Sequence, residues 1–102
     1  MPSKGLRSER DQAMPVGFEV LTVGAVAGGL LAIPRTMFTF AWIEVQDQPI
    51  RIRVDGTAPD ANTGHFYVPG QTDVMNENEV RGLSAIRTGG TSGTLVVTYY
   101  KS

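Results

Sequence analysis

The sequence predicts an all-β fold: a small antiparallel sandwich or barrel of about six to eight short strands with an extended N-terminal arm. Three observations point there. Twelve glycines and six prolines punctuate 102 residues, a density of turn chemistry that cuts the chain into short elements. The stretch IRIRV at 50–54 alternates apolar and charged side chains, the period of a half-buried strand. FTFAWIEV at 38–45 and TLVVTYY at 94–100 are rich in the β-branched and aromatic residues that suit a pleated surface.

At this length the chain is one domain, divided into a polar arm at 1–15 and a β domain at 16–102. The arm, MPSKGLRSERDQAMP, shows no sustained periodicity and presents Lys4, Arg7 and Arg10 as charged contacts for a partner. GFEVLTV at 17–23 reads as the first strand. A glycine-rich apolar connection follows, with Leu30, Leu31 and Ile33 available to pack and Pro34 stopping any helix. Residues 36–46 read as the strongest strand, with Phe38, Phe40 and Trp42 on one face and Met37, Thr39, Ala41, Ile43 and Val45 on the other. Two apolar faces predict a central strand covered on both sides, or one that meets a neighbouring subunit.

Asp47-Gln48-Pro49 reads as a hairpin turn returning into 50–54, with Ile50, Ile52 and Val54 inward and Arg51 and Arg53 outward. Residues 55–64, DGTAPDANTG, are a loop punctuated by Asp-Gly and Pro. HFYV at 65–68 and residues 71–75 are short strands, and 76–78 is a polar turn. Residues 80–87, VRGLSAIR, read as a helix turn or a strand: Leu83 and Ile86 fit a helix, but Gly82 and Ser84 are poor helix formers and favour the strand. TGGTSG at 88–93 is a hairpin turn before the closing strand.

Composition excludes several function classes. Nine basic residues against ten acidic ones leave a net charge of −1, without the basic excess that a nucleic-acid surface needs. With no cysteine, disulfides, thiolate metal sites and cysteine nucleophiles are excluded, and the chain suits a reducing compartment. The longest apolar run, 24–34, is about half of the roughly 20 residues a membrane helix requires. The N-terminal stretch has no hydrophobic core of the kind a secretory signal carries.

No catalytic, cofactor-binding or metal-binding residue is assigned. His65 stands alone without cysteines to help it and reads as a surface or structural residue. TGGTSGT lacks the lysine and following helix of a phosphate loop, and its Ser92 is followed directly by Gly93, which breaks a nucleophile elbow. Asp55, Asp60 and Asn62 carry enough oxygen for calcium, but their spacing fits no calcium loop and suits turn capping. Arg51 and Arg53 face water or an acidic surface on a neighbouring subunit. A carbohydrate- or host-binding module stacking ligands on Trp42, Tyr67, Tyr99 and Tyr100 is a competing reading, although these rings lie in strands.

Two blocks carry a family likeness. IRIRVDGTAPDANTG at 50–64 and AIRTGGTSGTLVVTYY at 85–100 resemble segments of small virion proteins of tailed bacteriophages. The resemblance implies a non-enzymatic β unit of the phage particle, most of all a head-decoration (cement) protein bridging neighbouring capsid subunits. A head–tail connector or tail component is the other role it implies. It further implies self-association, as a trimer, contact with the major capsid protein or other virion proteins, and residence in the virion after assembly in the host cytoplasm. On that expectation, 36–46 and 24–33 supply the self-association surfaces.

Overall fold

The computed structural model describes residues 12–102. Its first strand, β1 (Met14–Val23), alternates exposed and buried side chains along its second half and turns Leu21 and Val23 inward. It begins inside the expected arm, because Met14 and Pro15 already pair with Lys101 and Tyr100. The other strands are β2 (Phe40–Gln46), β3 (Ile50–Arg53), β4 (His65–Tyr67), β5 (Thr72–Asn76), β6 (Ser84–Arg87) and β7 (Gly93–Lys101). They form two antiparallel sheets, β1-β7-β2-β5 and β4-β3-β6. Side chains from both sheets build one core: Ala41, Ile43, Val45, Leu95, Val97 and Tyr99 meet Ile50, Ile52 and Ala85. The expected all-β architecture therefore stands, as two layers around one core.

The connections differ from those expected. β2 and β3 do not form a hairpin, since β2 is flanked on one edge by β7 and on the other by β5. With both edges of β2 occupied, the chain must leave the sheet after Gln46. Asp47 makes the corner at a φ of 73°, and its carboxylate accepts a hydrogen bond from the Thr94 hydroxyl at 2.6 Å. Gly93 lets β7 start beside this corner, where a Cβ would lie 2.8 Å from Ile50 Cγ2 and 2.9 Å from the Gln48 carbonyl. TGGTSG is likewise a crossover from β6 in one sheet to β7 in the other, rather than a hairpin turn.

The strand expected over 80–87 is half helix. A six-residue helix, α1 (Glu77–Gly82), precedes β6. Asn76 caps it: the Glu79 amide donates to Asn76 Oδ1 and the Asn76 amide to Glu79 Oε1, both at 2.9 Å. Gly82 and Ser84 do not oppose this helix, because one is its last residue and the other lies beyond it. Phe38 also departs from expectation. The ladder starts only at Phe40, so Phe38 is free to turn into the core, edge-on to Tyr99 at 5.4 Å. Phe40 stacks on Tyr100 at 5.0 Å.

Candidate functional site

Arg51 and Arg53 alternate with the buried Ile50 and Ile52 on β3, which aims both guanidinium groups away from the core. Both groups make bonds within the chain and remain partly exposed. Arg51 Nε donates to the Ala61 carbonyl at 2.9 Å and Nη1 to the Gly64 carbonyl at 3.0 Å. Its guanidinium also lies 5.1 Å from the centre of the half-exposed Phe66 ring, so a planar fork and a cation–π contact hold it together. Arg53 pairs with Asp55, through Nε to Oδ1 at 3.1 Å and through Nη2 to Oδ2.

The loop at 54–64 then closes on itself. Asp55 Oδ1 accepts the Thr57 amide at 3.2 Å, and Asp60 Oδ1 accepts the Asn62 amide at 2.8 Å. Asp60 and Thr63 exchange backbone hydrogen bonds at 3.1 and 3.2 Å. Pro59 is buried at the centre, and Gly64, at a φ of 132°, leaves only 3.1 Å between a would-be Cβ and Pro59 Cβ. The Gly56 amide donates to the Gly82 carbonyl at 3.2 Å, tying the loop to the end of α1.

These bonds set the local electrostatics. The Arg53 hydrogen bond, then the Thr57 amide, holds the Asp55 carboxyl below the usual range. The Asn62 amide, then the Thr63 hydroxyl, does the same for Asp60. Both side chains accept the hydrogen bonds of their own turns. Among the described residues, no group of three or more His, Cys, Asp and Glu is placed to hold a metal ion.

His65 opens β4, exposed, and lines a shallow cleft of about 390 Å³ together with Arg53, Asp55 and Thr63. A second cleft of about 280 Å³ lies on its other side, lined by Tyr67, Asp73 and Glu79 among others. Here the Tyr67 hydroxyl donates to Asp73 Oδ2 at 2.8 Å. Burial, then that bond, pushes the tyrosine far above its ordinary value, so the phenol stays protonated and offers no base. Among the described residues lining the clefts, no other hydrogen bond joins a nucleophile to a base.

Glu19 is a lone acid in an apolar strand, and no motif in the sequence marks it. The alternation that buries Leu21 and Val23 buries Glu19 too. Its carboxylate accepts the Tyr99 hydroxyl at 2.7 Å and the amides of Leu31 and Ala32 at 3.0 and 2.9 Å. It thus fixes the segment after β1 beneath the sheet. Burial, then the Glu19 bond, pushes the Tyr99 hydroxyl far up.

The tyrosines proposed as stacking platforms are inside. Tyr99 is fully buried, Tyr67 and Tyr100 nearly so, and Trp42 is half-buried. The exposed apolar side chains lie elsewhere: Phe18 and Val20 on the outward face of β1 are 61% and 57% exposed. Of the two expected self-association surfaces, 24–33 exposes Val26 and Leu31 while Leu30 and Ile33 pack on the core. β2 lies inside its sheet, with Met37 exposed just before it. Lys4, Arg7 and Arg10 lie outside the described residues. No family model, curated protein or solved structure matches the chain.

Proposed function

We propose that the chain is a non-enzymatic structural component of a tailed-phage particle, a decoration (cement) protein that associates with itself and bridges neighbouring shell subunits. One observation carries the reading beyond the sequence likeness. The two blocks that resemble phage virion proteins come together in space: β3 pairs with β6, β7 starts against Ile50, and the Thr88 hydroxyl donates to the Pro49 carbonyl at 3.2 Å. In the first block the side chains of Arg51, Arg53, Asp55 and Asp60 help to hold the loop in shape. A preformed unit of this kind binds by shape, at little cost in ordering, which suits a clamp better than a catalyst.

The reading is tested on the particle. Mass spectrometry of gradient-purified virions of the encoding phage is expected to find the chain, and capsids stripped of it are expected to rebind the purified protein. Its absence from virions overturns the proposal, and recovery only with tails moves the site of action from the shell. β1 starts at Met14, so an arm deletion that spares the fold removes residues 2–11. Such a deletion is expected to weaken rebinding while leaving the circular dichroism spectrum unchanged.

A further inference from the structure

The two sheets have four edges, and three of them are guarded. β4 is three residues long and runs into Pro69. β5 is five residues long, carries Asp73 and ends in the cap of α1. The outer edge of β6 is covered by the segment after β1, through Gly28 to Ala85 and Gly24 to Arg87 backbone bonds of 2.9 to 3.1 Å. Short strands, charges and covering segments are the devices by which soluble proteins keep sheet edges from pairing.

β1 has little of this. It is ten residues long, and among the described residues it pairs only with β7. Pro15 and an irregularity between Pro15 and Gly17 blunt its first turn of ladder, but GFEVLTV at 17–23 contains no proline, lysine or arginine. Its one charge, Glu19, points inward, a placement that elsewhere guards an edge because pairing would strand the charge. Here the carboxylate already has three hydrogen-bond donors, so pairing strands nothing. The Leu31 and Ala32 amides meet Glu19 and Pro34 meets Gly17 on the core side of the strand, which leaves Phe18 and Val20 exposed on the other.

We infer that this edge receives β1 of a second copy, antiparallel, about a two-fold axis at Val20. The free stretch 17–23 is centred on that residue, so the register uses all of it. Phe18 then faces Thr22 of the second copy, Val20 faces its own counterpart, and the two four-stranded sheets become one. The exposed aromatic and β-branched side chains meet across the new ladder, as such pairs do in stable sheets. No like charges are opposed, because the outward side chains of 18–22 are Phe, Val and Thr. Seven paired residues make about 24 Å of ladder; a strip of that length and about 10 Å wide covers roughly 240 Å², less than the roughly 800 Å² per partner of a standard interface. The dimer is therefore concentration-dependent.

This inference rests on the self-associating half of the function proposed above, and virion rebinding tests the other half separately. Sedimentation of the full chain across about 5 to 200 µM is expected to show a mass rising to twice 11.0 kDa. Val20→Lys is expected to weaken the dimer by about 100-fold or more, since it opposes two charges at the axis, with the melting temperature unchanged at concentrations where the native chain is a monomer. The chain has no cysteine, so Val20→Cys gives a clean second readout. Opposite residues of an antiparallel pair lie about 4.5 to 5.5 Å apart at Cα, within disulfide reach, and mild oxidation is expected to link Val20→Cys to itself. Thr72→Cys, on the opposite edge of the same sheet, is the control and is expected to stay unlinked. A monomer throughout the range overturns the inference. So does a dimer in which Val20→Cys fails to link, or a three-chain species in which Val20→Cys links to Thr72→Cys.

Discussion

The loop at 54–64 and strand β1 are opposites. The loop is polar, ornate and exposed, yet Arg51, Arg53, Asp55 and Asp60 are bonded within it or to it. β1 is a mostly apolar run, yet among the described residues nothing pairs with its outer edge, and Phe18 and Val20 stay exposed. Charged residues at a loop suggest a site only while their partners are unknown. Once the hydrogen bonds are traced, the loop offers a preformed shape, and the strand offers backbone groups and apolar side chains that gain by being covered.

The largest expected effect breaks the loop where it meets α1. A Cβ on Gly82 would fall 2.2 Å from the Val54 carbonyl oxygen, which is backbone and cannot swing aside. Gly82→Ala is expected to cost about 3 kcal/mol or more, read as a lower midpoint in urea unfolding. Glu19→Gln comes next, at about 2 kcal/mol, because a neutral amide replaces the charged acceptor for three donors. It loosens β1 from below, so it is expected to weaken self-association as well as stability.

Arg51→Lys is smaller, about 1 kcal/mol, since an ammonium cannot fork to two carbonyls and stack on Phe66 at once. Its signature is faster amide exchange at 60–64 with β1 unaffected. Acid gives the smallest effect. Asp55 and Asp60 titrate below their ordinary value in the fold, so the stability they add is present above about pH 4 and is lost as pH falls through the folded values. Thermal melts between pH 6 and 2 are expected to show this decline, and Asp55→Asn to flatten it. The pair is exposed and screened, so the decline is shallow.

Much of this was legible in the sequence where the physics is local. The alternation in IRIRV buries Ile50 and Ile52 and turns both arginines out, because strand period is a property of the backbone. The capping box in NENE is legible too, but Gly82 reads equally as a helix breaker and as a helix end, and only the fold shows that it is the end. What could not be read is pairing between distant residues. Nothing near Gln46 says that both edges of β2 are taken by strands 25 or more residues further on, so a hairpin looked natural. Glu19 finds Tyr99 eighty residues away, and only the fold reveals that its charge is satisfied.

Hydrogen exchange followed by mass spectrometry at increasing protein concentration compares the two regions in one experiment. The account predicts that amides of 17–23 gain protection as concentration rises while those of 54–64 stay constant. Protection gained by the loop, with β1 unchanged, would contradict it.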